Sequence, residues 1–246
     1  PDYPPVLSRY RKPVTQLNLE DFLREYGYTL SKNGHGRSPH RIPVFDELAQ
    51  WAASKPQLKM VHLDLKIPKN ESWRVPDFIE SIYASSQKYG VLDKMVFFSI
   101  HRKVVEAASD YCRQKGYNLK IGLGKQLPFS VFSGGNGPDE AFFIDEEGGE
   151  IYAESVWDTP IIEEAAKMGL SFSSGGRALT LSFLTHWKVY REFVRANILL
   201  KPQYSSVSFI CWVIDDEDEM RWLVEMGVDG IITNKPGKVA EILQSR

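Results

Sequence analysis

One short run of the sequence places three chemically active side chains on the same side of a strand. Residues 58–67 alternate in polarity, which predicts a β-strand. His62, Asp64 and Lys66 lie two residues apart, so in a strand they project from one face, while the opposite face is apolar. The strand is the first candidate for part of a functional site. His62 could serve there as a ligand or a base, or could belong to the packed core.

Other candidate residues follow predicted strands or lie in glycine-rich segments. His101 comes directly after the apolar strand 95–100, where it could contact phosphate or substrate, or be packed or solvated. Asp215 follows the apolar strand that contains Trp212 and could face the same pocket. Residues 173–177 read Ser-Ser-Gly-Gly-Arg and could form a phosphate-binding turn, with a flexible linker as the alternative.

The order of the elements predicts an α/β fold to hold these residues. Strand and helix patterns alternate at a spacing of about 30 residues, the size of one βα unit in a barrel. Parallel strands built in this way all end at the same edge of the sheet. The predicted strands lie at 58–67, 95–100, 118–123, about 156, 207–214 and 230–233. The predicted helices lie at 15–23, 44–53, 76–89, 103–115, up to 168, 180–200, 217–226 and 238–245.

We predict a single domain over residues 1–246, with a helical excursion from the scaffold at about 173–203. Its long helix, predicted at 180–200, combines aromatic and basic side chains such as Trp187 and Arg191. That combination would suit a lipid surface or a protein partner, with packing in the core as the alternative.

Composition excludes several classes of protein. The chain has 246 residues, of which 43% are hydrophobic and 25% charged, as in globular domains and unlike disordered or disulfide-dense chains. A formal net charge of −2 gives no general attraction to nucleic acid. Cys112 and Cys211 lie in a helix pattern and a strand pattern, and we expect both to be buried. No transmembrane run or signal peptide is recognised, and the compartment and oligomeric state are left open.

The last quarter of the sequence contains Trp212 in an apolar strand, an acidic helix at 217–226 and the segment GVDGIITNKP at 227–236. In this order the three features resemble the end of a glycerophosphodiester phosphodiesterase domain. That family typically closes with W-x-x-N on a strand, an acidic helix and then G-V-D-G-I-I-T-D-x-P. This chain carries Trp212 followed by Asp215 where the family has Asn. Residues 227–236 read GVDGIITNKP, with Asn234 where the family has Asp.

Two upstream segments resemble the same family. RIPVFDEL at 41–48 is similar to the family's I-P-x-x-x-E-x-L, and LDLK at 63–66 is similar to its I-E-I-K strand. The resemblance implies a TIM (β/α)₈ barrel, of which this chain shows about six strands. It also implies hydrolysis of glycerophosphodiesters, or of lysophospholipid-like diesters, to glycerol phosphate and an alcohol.

The resemblance also assigns roles to residues. Asp64 matches a ligand of the family's divalent cation, for which oxygen ligands suit Mg²⁺ or Ca²⁺. Lys66 matches the basic residue two positions further on, and Trp212 matches an aromatic residue near the pocket. With His101 at a strand end, the predicted site consists of Asp64 for the metal and Lys66, Trp212 and His101 for the substrate.

The family's other catalytic motifs are not found at their expected places. The resemblance implies a His-Arg, a Glu-x-Asp and a His-Asp pair, and Tyr3-Pro4 stand where the His-Asp is expected. Two hypotheses stay open. The first is a phosphodiester hydrolase whose missing strands and motifs lie in a further N-terminal segment. The second is a catalytically inactive relative that binds a phosphorylated ligand, a lipid or a protein partner. We expect the partner to be a small-molecule diester or lysolipid and not a nucleic acid. A peripheral membrane contact is left open.

Overall fold

The computed structural model describes residues 17–25, 41–67, 69–126, 131–133, 141–144, 150–152, 160–176 and 183–245. The chain divides into two units, residues 1–56 and 57–246. The prediction of one domain over the whole chain stays a prediction.

The first unit contains two described helices, both predicted from the sequence. They are α1 (Leu19–Glu25) and α2 (Phe45–Ala53). Asn18 begins α1, because its side-chain oxygen accepts the N–H of Asp21 at 2.7 Å. At the start of α2, Glu47 accepts the N–H of Val44 at 3.0 Å and also pairs with Arg41. These side chains bind backbone donors that helix ends leave free.

A six-stranded parallel sheet forms the centre of the second unit. Across the sheet the strands are β1 (Val61–Asp64), β2 (Met95–Ser99), β3 (Lys120–Gln126), β7 (Phe172–Gly176), β8 (Ser208–Trp212) and β9 (Gly230–Ile231). Between β3 and β7 the chain adds a three-stranded antiparallel sheet of β4 (Val131–Ser133), β5 (Ala141–Ile144) and β6 (Glu150–Tyr152). The parallel strands therefore end together at one edge, the carboxyl edge.

Helices alternate with the parallel strands, as the sequence predicts, and the predicted strand at about 156 lies outside the described residues. They are α3 (Val75–Lys88), α4 (Arg102–Lys115), α5 (Ile161–Lys167), α6 (Phe183–Leu200), α7 (Glu217–Met226) and α8 (Pro236–Gln244). Two short 3₁₀ helices lie at Lys69–Arg74 and Leu92–Lys94. Gly116 and Gly227 end α4 and α7 with φ of 68° and 81°, a conformation that favours glycine.

None of the helices among the described residues combines the length and the apolar character needed to cross a membrane.

The main sheet is curled rather than flat. Neighbouring strands lie about 4.8 Å apart, so β1 and β7, three places apart, would be roughly 14 Å apart in a flat sheet. The rings of His62 on β1 and Phe172 on β7 nevertheless meet at 5.9 Å. Both side chains must point into a shared concave face. An apolar cluster fills that face, made of Met60, Val96, Phe172 and Ile210.

This geometry confirms the predicted α/β architecture as a half-barrel of six parallel strands. The opposite, convex face is covered by helices, and Phe209 of β8 meets Phe193 of α6 with ring centroids 6.0 Å apart. Closure into the eight-stranded barrel stays a prediction.

One predicted feature is wrong. Residues 173–176 form neither a linker nor a turn but most of β7, which lies between β3 and β8 in the sheet. The predicted excursion at 173–203 therefore begins inside the sheet, and its helical part is α6. A Ser-Ser-Gly-Gly run has little intrinsic strand propensity, and it is tertiary packing that makes it a strand.

That packing depends on the absence of a side chain at Gly175. A Cβ atom there would lie 2.1 Å from Cε1 and 2.8 Å from Cζ of Phe193. Phe193 is 4% exposed and is held between α6 and the sheet. The small residue lets the helix approach the strand closely.

The two cysteines are buried and free, as expected. Burial raises the pKa of Cys112 to about 11 and that of Cys211 to about 12. Both thiols therefore stay protonated at neutral pH and act as small apolar side chains.

We predict that Gly175→Ala lowers the free energy of unfolding by about 1–3 kcal/mol, because the added methyl group overpacks Phe193. Gly237→Ala is the matched control, since nothing lies within 4 Å of a Cβ atom at that helical position. It should leave stability unchanged or raise it by up to about 1 kcal/mol. Urea unfolding followed by circular dichroism measures both, and equal midpoints would contradict this packing.

Candidate functional site

The carboxyl edge of the sheet begins with an ion pair at the end of β1. The Lys66 ammonium nitrogen lies 2.9 Å from Oδ2 of Asp64. Asp64 follows His62 by two residues, so it stands on the same concave side of the strand. The side chains of Lys66 and Asp64 are 67% and 49% exposed. Because both side chains are exposed, both charges are accessible to a ligand. An ion pair this exposed also contributes little to stability.

His62 lies one step deeper than this pair. Its ring meets Phe98 at 6.5 Å and Phe172 at 5.9 Å, and its Nε2 lies 2.8 Å from the sulfur of Met60. Burial lowers the pKa of His62, which keeps the imidazole neutral at neutral pH. Of the roles considered for His62, these contacts favour a packed core residue beneath the site.

Trp212 is the last residue of β8 and lies on the concave face, because it shares that face with Ile210 two residues before it. Its indole N–H donates to Oγ of Ser174 on the neighbouring strand β7 at 2.8 Å. Ser174 is only 3% exposed, so this bond satisfies a buried hydroxyl group. The bond fixes the plane of the indole ring at the carboxyl edge. Ser174 lies in the run for which the sequence predicts a phosphate-binding turn or a flexible linker, and its contact with Trp212 was not predicted.

His101 lies where β2 passes into α4. Its backbone N–H donates to Oγ of Ser99 at 3.2 Å, and its carbonyl oxygen accepts the first helical N–H groups of α4. Since β1 and β2 are neighbours, His101 shares the carboxyl edge with Asp64 and Lys66. Its predicted contact with substrate stays a prediction.

Asp215, beyond the end of β8, holds the segment that follows β9. Its Oδ1 accepts from the hydroxyl group of Thr233 and the backbone N–H of Asn234, each at 2.8 Å. Its Oδ2 accepts from the side-chain amide of Asn234, also at 2.8 Å. The hydrogen bonds from Asn234 and Thr233 lower the pKa of Asp215 and keep its carboxylate ionised.

Positions 215 and 234 are the two places where this chain departs from the family's C-terminal pattern. The structure joins them by a hydrogen bond, so an amide and a carboxylate face each other there. The sequence suggests that Asp215 could face the pocket, and it gives Asp215 no partner. The signal that would have found its partners is the polar run 233–235 directly after the last strand.

Asp229 of the same C-terminal motif has a different place. Its Oδ2 accepts the N–H of Phe209 at 2.8 Å, and its Oδ1 lies 2.6 Å from the ammonium nitrogen of Lys201. Both contacts lie at the amino end of β8, away from the carboxyl edge. Asp229 therefore positions the start of this strand and takes no part in the candidate site.

The donor set of the described residues does not fit a divalent cation by itself. Within the ranges that the structure describes, no group of three His, Cys, Asp or Glu side chains is arranged so that it could hold a metal ion. Asp64 provides one carboxylate, with the ammonium group of Lys66 at 2.9 Å. Mg²⁺ and Ca²⁺ take six or more oxygen ligands, and a cation beside the carboxylate opposes their binding. The predicted metal site at Asp64 stays a prediction.

Comparison with known proteins places this geometry in context. The model of the Glycerophosphoryl diester phosphodiesterase family matches residues 208–237, which span β8, Asp215, α7 and β9. No curated protein gives a significant match to the whole sequence.

Solved structures share the fold. A glycerophosphoryl diester phosphodiesterase from Silicibacter pomeroyi DSS-3 has a TM-score of 0.56 and 17% identity, over 83% of this chain and 57% of that one. A glycerophosphodiester phosphodiesterase from Parabacteroides distasonis has a TM-score of 0.53 and 13% identity, over 84% and 66%. One from Galdieria sulphuraria has a TM-score of 0.57 and 15% identity, over 95% and 72%.

The class defined by these findings is a parallel α/β half-barrel with its candidate site at the carboxyl edge. Within that class, the predicted resemblance to the glycerophosphodiester phosphodiesterase family is confirmed, by the family match at 208–237 and by the shared fold. This chain spans less than two thirds of the length of the Silicibacter and Parabacteroides proteins.

The half-buried His62 makes stability depend on pH. Its folded pKa lies below the ordinary value of about 6.5, so the unfolded chain binds a proton more readily. The contribution of His62 to the free energy of unfolding is fully present above a pH of about 6.5. It is lost as the pH falls from about 6.5 towards the lower folded pKa.

We predict that His62→Gln abolishes this part of the acid decline in the free energy of unfolding. His101→Gln is the control, since it keeps His62 and therefore keeps the decline. Chemical unfolding measures the free energy of unfolding of each variant at several pH values from about 7.5 to about 5, a range that brackets the ordinary histidine pKa of about 6.5. An identical decline in wild type and His62→Gln would show that His62 is not the group responsible.

Proposed function

We propose that this chain binds a glycerophosphodiester at the carboxyl edge of its sheet and takes part in its hydrolysis to glycerol phosphate and an alcohol. The observation that carries the proposal is the family match at residues 208–237. That segment delivers Trp212 to the same edge at which β1 presents Asp64 and Lys66. Lysophospholipid-like diesters are included in the substrate class, because they carry the same phosphodiester group.

The proposed roles follow from the chemistry of each side chain. The ammonium group of Lys66 is exposed and would exchange its ion pair with Asp64 for one with a phosphoryl oxygen. There it would offset the negative charge that grows as the phosphorus is attacked. Trp212, fixed by Ser174, presents an aromatic face for the glycerol or alcohol group. The described residues assign no general acid or base.

A divalent cation remains part of the prediction from family resemblance, and no step is assigned to it. Mg²⁺, Ca²⁺ and their removal are therefore variables of the experiment. A small-molecule diester as partner, the absence of nucleic acid and a peripheral membrane contact likewise remain predictions.

A second candidate function is binding of a phosphorylated ligand without turnover. Two observations favour it. Asp64 is paired with Lys66 rather than grouped with other carboxylates, and His62 is packed among aromatic rings. This edge would then supply a cation and an aromatic surface for recognition.

We predict that Lys66→Met lowers kcat/KM for glycerophosphocholine by about 10²-fold, the loss expected when one charge-stabilising group is removed. Asp64→Asn should abolish any activity that depends on Mg²⁺ or Ca²⁺. Release of glycerol phosphate is followed with each cation and with a chelator.

The matched control is Asp110→Asn, which breaks the exposed ion pair with Arg113 on α4, 2.9 Å long and 72% exposed on both sides. It should leave kcat/KM unchanged. Activity of Asp64→Asn and Lys66→Met equal to that of wild type would exclude both residues from the reaction. Stabilisation by glycerol phosphate without turnover would establish the second function instead.

A further inference from the structure

Two segments of the chain meet beyond the carboxyl ends of β8 and β9. The first contains residues 213–216 and leads from Trp212 into α7. The second contains residues 232–235 and leads from β9 into α8. Backbone bonds join them at their start, with Ile232 N–H donating to Cys211 O at 2.8 Å and Ile214 N–H to Ile232 O at 3.0 Å.

Beyond these backbone bonds, Asp215 provides the further contacts that lock the segments together. Both of its carboxylate oxygens accept hydrogen bonds at 2.8 Å, from Thr233 and Asn234. Its carbonyl oxygen accepts from the ammonium group of Lys235 at 2.9 Å. One residue of the first segment thus binds three consecutive residues of the second.

Trp212 is held from two directions. On one side its indole N–H is bound to Ser174 of β7. On the other side, the backbone that follows Trp212 is held three residues later by the hydrogen bonds of Asp215 to the second segment. Release of these contacts would leave residues 213–216 attached to the second segment by the backbone bond of Ile214, while Asp216 still caps α7. The bond from Trp212 to Ser174 would remain, and the backbone that carries Trp212 would lose its second support.

We infer that Asp215 is a positioning residue, which sets Trp212 for the ligand through the segment that joins them. The inference rests on the proposed function, since it takes Trp212 to be part of the binding surface. Asp215 is half-buried and Asn234 is exposed, so both can be changed without opening the core.

The chemistry of the pair allows a sharp test by exchange. Asp215→Asn turns Oδ2 into an amide nitrogen, which faces the amide of Asn234, so two donors oppose each other. Asn234→Asp places two carboxylates within hydrogen-bond distance, which repel. In the double variant, the amide at position 215 donates to the carboxylate at position 234. Oδ1 at position 215 still accepts from Thr233 and the backbone N–H.

The experiment measures the Kd of glycerol phosphate by calorimetry, and KM and kcat for glycerophosphocholine, at a temperature at which every variant is folded. We expect Kd and KM to rise about tenfold in each single variant, the factor that about 1.4 kcal/mol makes in an equilibrium constant. We expect kcat to change little and the double variant to regain wild-type binding. Asn234→Ala, which removes a single exposed donor, should change Kd in the same direction.

Asp229→Asn is the matched control, because it disturbs hydrogen bonds to Phe209 and Lys201 at the opposite end of the same strands. It should lower thermal stability and leave Kd and KM unchanged. If Asp215 had a purely structural role, Asp215→Asn would likewise lower thermal stability and leave Kd and KM unchanged. That outcome overturns the inference.

The outcomes separate the inference from the proposed function. Binding that falls in the single variants and returns in the double variant, without turnover by wild type, supports the inference and rejects hydrolysis. Turnover by wild type with unchanged Kd and KM in the single variants supports hydrolysis and rejects the inference. Neither binding nor turnover by wild type rejects both.

Discussion

A small apolar cluster on the concave face of the sheet is the contact on which the candidate site depends. Met60 and Val96 belong to the β1–β2 side of the sheet and Phe172 and Ile210 to β7 and β8, and a flat sheet would keep these two pairs apart because β3 lies between them. Burying them together requires the sheet to curl, and burial of apolar surface is the main favourable term in folding. Once the sheet is curled, side chains four residues beyond Met60 and two residues beyond Ile210 project over its rim. Asp64 and Trp212 reach the carboxyl edge for this reason.

Missing side chains are as important to this arrangement as the rings themselves. On the concave face a Cβ atom at Gly124 would lie 2.3 Å from Cζ of Phe98, so that ring extends over β3 only because the position is glycine. On the convex face Gly175 gives Phe193 the same freedom. Aromatic rings therefore fill both sides of the central strands, and the close-packed result leaves little room for change.

The two ends of the strands divide stability from candidate function. At the amino end Asp229 binds the N–H of Phe209, the second residue of β8, and the ammonium group of Lys201, which sets the position of the strand. At the carboxyl edge Asp215 binds the segment after β9, and Lys66 stands exposed beside Asp64. This division is general in parallel α/β folds, whose sites lie at the carboxyl ends of the strands while the opposite face contributes stability. The C-terminal motif of this chain supplies residues to both ends.

The sequence by itself determined the element types and the family resemblance. Alternating polarity marked β1 and placed Asp64 and Lys66 on one face, and helix periodicity with terminal glycines located α4 and α7. Those features depend on neighbours in the chain, so local patterns suffice to predict them. The Trp-containing strand with the GVDGIIT motif was specific enough to indicate the family.

Only the tertiary structure decided the rest. It made the Ser-Ser-Gly-Gly run a strand, because the ring of Phe193 fills the space that Gly175 leaves. It gave Ser174 a partner in Trp212, packed His62 against Phe98 and Phe172, and joined Asp215 to Asn234 across 19 positions of the chain. Each of these outcomes is a contact between residues far apart in sequence, and its direction follows from how the sheet curls. Such contacts carry no local signal, because the residue types involved are compatible with a loop, a site or a core until the packing chooses among them.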